Sequence, residues 1–172
     1  MGRRDIAGVI LAGGRSSRMR QNKALLDYNG QTLLDHMIAL LQQSGLKDIY
    51  VSGNLKGYWC LPDRTPHEGP ACAIHDVLQY LDDYEGALFV PVDMPLLTPE
   101  ILEPLLMKPK GAFYEGCFLP AYITSLCSGA KASSVRELLG KIGVEQIALP
   151  EEFKPFMNNS NTPEEWQEAL RA

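Results

Sequence analysis

The apolar run Ile6-Ala7-Gly8-Val9-Ile10 passes directly into Leu11-Ala12-Gly13-Gly14, and then into a loop carrying Arg15, Arg18, Arg20 and Lys23. A short uninterrupted apolar run bounded by glycines reads as a strand buried on both faces, which points to a parallel sheet covered by helices. The exit from that strand is chemically distinctive. Gly13 and Gly14 carry no Cβ, so the backbone can reach positive φ and bring bare N–H groups close to an anion, while the cations that follow can neutralise a polyphosphate. The spacing is neither G-x-x-x-x-G-K-[ST] nor G-x-G-x-x-G, so the two commonest nucleotide loops are excluded.

Beyond this strand the chain alternates strand-like runs with helical periods, the pattern of an α/β domain with a mostly parallel sheet. Asn29-Gly30 marks a turn, and Thr32 is placed to cap a helix whose Leu33, Leu34, Met37, Ile38, Leu40 and Leu41 share one face, with Gly45 ending it. Residues 48–52 read as the next strand, running into the turn-tolerant pair Gly53-Asn54, and residues 59–61 as a further short extended piece. Pro70 opens a helix expected to reach about Leu81. Residues 87–92 form a buried strand that delivers Asp93 at its carboxyl end, where open α/β sheets bind ligands. Thr98-Pro99 starts another helix, residues 116–123 read as strand, residues 134–139 as helix, and Thr162-Pro163-Glu164-Glu165 as a capping box before a last helix.

A chain of 172 residues with 45% hydrophobic content is expected to form one domain over residues 1–172. A net charge of -5 argues against broad nucleic-acid binding, because a phosphate-backbone binder carries a basic surplus; positive charge is concentrated between Arg15 and Lys23, which suits a small anion. No apolar stretch is long enough for a membrane span, and Met1 to Asp5 lead into a strand rather than a secretory apolar segment, so a cytoplasmic protein is expected. Cys60, Cys72, Cys117 and Cys127 are widely spaced, without a C-x-x-C pair, and are read as reduced gap-filling residues rather than a zinc site or disulfide frame. His36 and His75 fall in helical patterns and are expected to be satisfied there, whereas His67 sits in the loop before Gly69.

The ordered segments resemble a known family. L-A-G-G-x-S-x-R-M with Lys23-Ala24-Leu25-Leu26, then Asp63 before Glu68-Gly69-Pro70, then Phe89-Val90-Pro91-Val92-Asp93-Met94-Pro95, and last the segment from Phe156 to Glu164 are similar to the signature of the MobA-like molybdenum cofactor guanylyltransferases. The resemblance implies a Rossmann-like, three-layer α/β/α nucleotidyltransferase fold. It implies transfer of GMP from GTP to the terminal phosphate of Mo-molybdopterin, with release of pyrophosphate. Lys23 and Arg18 would then clamp phosphate and Asp93 would hold Mg²⁺ between donor and acceptor. Leu11, Ala12, Gly13 and Gly14 would cradle base and phosphate, and Asp63 and Asn54 would contact the nucleotide. Other molybdenum cofactor biosynthesis proteins or molybdoenzyme chaperones would be its protein partners. The chain departs from the family pattern at Arg20 and Ala73, where glycines are usual, and Ala73 is expected to narrow the site. Two alternatives stay open: a related enzyme using CTP or another phosphorylated acceptor, and a catalytically impaired homologue that binds nucleotide or pterin.

Overall fold

The computed structural model describes residues 6–13, 22–62, 69–124 and 131–172. Its centre is a seven-stranded sheet made of β1 (Ala7–Leu11), β4 (Ile49–Ser52), β5 (Cys60–Leu61), β6 (Gly86–Pro91), β7 (Ala112–Tyr114), β8 (Cys117–Thr124) and β9 (Glu145–Ile147), in the order β5-β4-β1-β6-β8-β7-β9. β1 pairs in parallel with both β4 and β6, β4 with β5, and β7 with β9, while β8 runs antiparallel to both of its neighbours. Six strands therefore share one direction and only β8 opposes them. The expected mostly parallel sheet is what forms. A two-stranded hairpin, β2 (Asp27–Tyr28) with β3 (Gln31–Thr32), turns at Asn29 and Gly30, both at positive φ.

Among the described residues the α-helices are α1 (Leu33–Gln43), α2 (Pro70–Leu78), α3 (Pro99–Leu106), α4 (Val135–Ile142) and α5 (Pro163–Arg171). Side chains alternate across the strands: Ile10, Leu88, Val90 and Tyr122 pack with α1, α3 and α5, whereas Val9, Ala87, Phe89, Ala121 and Ile123 pack with α2 and α4. This period-two division puts helices on both sheet faces and produces three layers. The helix starts follow their sequence signals. Thr32, Ser134 and Thr162 each accept a hydrogen bond from the backbone N–H of the third residue of the helix that follows, and Thr162 with Glu165 completes a capping box. Thr98 occupies the cap position of α3 without making that bond. The Glu100 carboxyl is held below its ordinary range, first by its own backbone N–H and then by the Thr98 hydroxyl. α2 ends at Leu78, three residues short of the expected Leu81, because the Gln79, Tyr80 and Leu81 N–H groups donate three residues back, to Asp76, Val77 and Leu78, and tighten the chain out of the α-helix.

Close approach of β6 to β8 fixes one glycine. A Cβ at Gly86 would lie 2.5 Å from the Ile123 carbonyl oxygen and 2.8 Å from the Tyr122 ring, neither of which can give without moving the strand pair. Gly86→Ala is expected to cost about 1–3 kcal/mol, read as a lower urea midpoint with an unchanged m-value. An unshifted midpoint would show that the two strands separate more easily than their packing implies.

Candidate active site

β1 ends where its two neighbours also end, and hydrogen bonds hold its exit on both sides. The Ala12 N–H donates to the Ser52 carbonyl (3.1 Å), and the Leu11 carbonyl accepts from the Val92 N–H (3.1 Å). Gly53 has φ +141°, and a Cβ there would lie 3.4 Å from the Gly13 nitrogen, so the β4 exit lies directly against the backbone of residues 12 and 13. Leu11, Ala12 and Gly13 are thereby fixed at the carboxyl edge of the sheet, along one side of a cavity of about 650 Å³.

Beside this edge, three segments that are distant in sequence meet. Asp93 stands two residues beyond β6, and its carbonyl accepts from the Ser160 N–H at 2.7 Å. Lys23 opens a single 3-10 turn (Lys23–Leu25) whose first free N–H, that of Ala24, is capped by Asn22 at 3.1 Å. The Lys23 ammonium donates to Asp93 Oδ2 at 3.3 Å and to Asn161 Oδ1 at 2.7 Å. Asn161 is fixed in turn because its N–H and that of Thr162 donate to one Glu165 carboxylate oxygen, at 2.6 and 2.9 Å. The side chains of Lys23 and Asp93 are only 16% and 19% exposed, so their attraction is far less screened than that of a surface pair.

Of the residues singled out in the sequence, Leu11, Ala12, Gly13, Lys23 and Asp93 come together around this cavity. Asn54 is exposed and lies one residue past Gly53, outside the lining. Gly14, Arg18 and Asp63 lie outside the described residues, as do Arg15, Arg20, His67 and Cys127. Ala73 does not narrow the cavity as expected. It sits on α2, outside the described lining, and packs against the core between α2, α4 and the sheet. Asn161 was not singled out, although its signal was present in the Asn-Thr-Pro-Glu run that opens the last helix.

Polar groups from Lys23, Asp93, Asn158 and Asn159 meet an apolar wall of Phe118, Leu119, Val135 and Met157. Cys117 also lines the cavity, but burial pushes its thiol pKa up, which favours the protonated, unreactive form. Cys60 and Cys117 are free thiols. Among the described lining residues Asp93 is the only carboxylate. No cluster of three or more His, Cys, Asp or Glu among the described residues could cage a metal ion. One carboxylate beside amide oxygens nevertheless fits a hard divalent cation that keeps several waters and takes its other ligands from phosphates. Among the described residues the arrangement offers backbone N–H groups, one ammonium and one carboxylate around a cavity, a set that can bind and polarise an anionic substrate.

A mostly parallel α/β sheet with a cavity at its strands' carboxyl ends places the site where open α/β folds bind ligands. Residues 8–146 match the family model of the MobA-like NTP transferase domain, and the chain belongs to that family. It is 36% identical to the molybdenum cofactor guanylyltransferase of Xanthomonas euvesicatoria, over 97% of this chain and 95% of that one. Among solved structures it is similar to molybdopterin-guanine dinucleotide biosynthesis protein A from Archaeoglobus fulgidus, with TM-score 0.67, 18% identity, and 96% and 97% of the two chains covered. A Mycobacterium tuberculosis protein solved as a complex with manganese shares the fold at TM-score 0.64 and 18% identity, covering 97% of this chain and 98% of that one. No helix among the described residues is long and apolar enough to cross a membrane.

Proposed function

We propose that this protein is a molybdenum cofactor guanylyltransferase, acting as one catalytic unit in the cytoplasm. The observation that carries the reading is 36% identity along 97% of the chain to a relative of that activity, and the Lys23–Asp93 pair at the strand ends supports it. In the reaction, a terminal phosphate oxygen of Mo-molybdopterin attacks the α-phosphorus of GTP. The new bond joins that oxygen to the α-phosphorus, and the bond from the α-phosphorus to the bridging oxygen breaks, so that the electron pair leaves with pyrophosphate.

Positioning and charge stabilisation dominate such a transfer, because the protein has little covalent chemistry to perform. The backbone of Leu11, Ala12 and Gly13 holds the nucleotide at the sheet edge. Lys23 meets the phosphates while Asn161 keeps its ammonium aimed at the cavity, and Arg18, Gly14 and Asp63 complete the nucleotide grip, with Asn54 at its margin. Asp93 would hold Mg²⁺, which would supply positive charge to offset the negative charge that develops on the phosphates and the leaving pyrophosphate. Product would pass to other molybdenum cofactor biosynthesis proteins or molybdoenzyme chaperones.

The test is pyrophosphate release by the purified protein with Mo-molybdopterin and each NTP in turn, with and without Mg²⁺. Release with GTP alone, dependent on Mg²⁺ and on the acceptor, is expected. A preference for CTP would make the protein a cytidylyltransferase, and nucleotide binding without release under any condition would make it a binding homologue.

A further inference from the structure

His36 is not among the described lining residues of the cavity, yet it bonds to the turn that follows Asp93 and packs against the hairpin that follows Lys23. It is half-buried on α1, and its Nε2 lies 2.8 Å from the Pro95 carbonyl oxygen. A carbonyl can only accept, so Nε2 carries the proton and donates. Pro95 is two residues beyond Asp93, inside a turn in which the Leu97 N–H donates to the Met94 carbonyl at 3.3 Å. The imidazole also packs against the Tyr28 ring, with centroids 4.4 Å apart. Tyr28 in turn donates its hydroxyl to the Ala169 carbonyl of α5 at 3.4 Å and lies 5.7 Å from the Trp166 ring.

Two chain segments therefore meet at His36, and a third, α5, reaches it through Tyr28. The hairpin carrying Tyr28 follows the turn that presents Lys23, the turn at Pro95 follows Asp93, and α5 follows the segment that supplies Ser160 and Asn161. β6 stops pairing at Pro91. Past that point, the Asp93 turn is tied on one side by the Ser160 N–H to the Asp93 carbonyl and on the other by His36 to the Pro95 carbonyl.

We propose that His36 is a positioning residue that fixes the Asp93 turn through its hydrogen bond to Pro95, and so sets where the carboxylate meets the metal and phosphates. The effect on transfer rests on the function proposed above. The competing role, a ring that only fills space between α1 and the hairpin, makes opposite demands on two variants. H36F keeps an aromatic ring against Tyr28 and loses the donor. H36Q loses the ring and keeps an N–H at similar reach.

The experiment compares both variants with wild type by guanylyl transfer across a Mg²⁺ titration and by amide hydrogen exchange of residues 93–97 in the ligand-free protein. For H36F we expect kcat to fall about tenfold, a higher Mg²⁺ requirement, and faster exchange across the turn, while H36Q stays within about threefold of wild type in all three. Wild-type kinetics and exchange in H36F would overturn the proposal, as would H36Q falling as far as H36F. If H36F does not fold, H36L replaces it and the same outcomes decide. Absence of transfer by wild type would defeat the guanylyltransferase reading instead, and the exchange comparison would still judge the role of His36.

Discussion

Asp93→Asn is expected to lower guanylyl transfer by about 10²–10³-fold, the scale on which removal of one preorganised charge-stabilising group acts. The substitution keeps the shape of the side chain and removes its charge. The turn itself survives, because the bonds that shape it come from the backbone: Ser160 N–H to the Asp93 carbonyl and Leu97 N–H to the Met94 carbonyl. Lys23 also keeps its 2.7 Å bond to Asn161 and can still find an amide oxygen at position 93. The loss of folding stability should therefore be small, about 1 kcal/mol, intermediate between the worth of a surface pair and that of a fully buried one. Activity should fall far more than stability. The diagnostic measurement is the Mg²⁺ titration of turnover: the variant should need a much higher concentration for half-maximal rate. An unchanged titration curve would remove Asp93 as the metal-holding carboxylate, whatever happened to the maximal rate.

The parts of this fold that were legible in the sequence are those in which several local signals agree. β1 and β6 are continuous apolar runs, and α1 combines a capping Thr32, a broad apolar face and a terminating Gly45 at φ +87°. Strands β2, β3, β7 and β9 were missed because each is only two or three residues long, too short for alternation to be seen. β7 is also an example of tertiary context supplying what local pattern lacks. Residues 112–114 become a strand by pairing with β8 across the turn at Glu115 and Gly116, and this hairpin is what introduces the single reversed strand into the sheet.

The site divides along the same line. Positions at strand ends could be read because the strands were. Lys23 and Asp93 were legible as separate motif residues, but their contact joins positions 70 apart and is set by the sheet order rather than by any local pattern. Asn161 was harder, since its partner Lys23 lies 138 residues away and an Asn before Thr-Pro reads locally as the approach to a helix. The Glu165 carboxylate serves both purposes. It closes the capping box of α5, and in doing so it holds the Asn161 backbone that aims an amide oxygen at Lys23.

The second large effect is expected at Lys23. Lys23→Ala should weaken GTP binding about tenfold or more and lower kcat/KM by about 10²-fold, because a charge-assisted contact to phosphate is lost and the Asp93 carboxylate is left to face the polyphosphate without its partner. Lys23→Arg should recover little. The ammonium is held at 3.3 Å from Asp93 and 2.7 Å from Asn161 as a single compact charge, and a planar guanidinium fork cannot occupy that position without displacing one of them. The Mg²⁺ concentration for half-maximal rate should move less than in Asp93→Asn, since Lys23 acts on phosphate and Asp93 on the metal. Calorimetric titration of GTP into wild type and variant, followed by transfer assays at saturating Mg²⁺, separates these effects. Equal affinity and equal turnover would take Lys23 out of the site. A large Mg²⁺ shift with unchanged GTP affinity would mean that Lys23 acts chiefly by setting the position of Asp93.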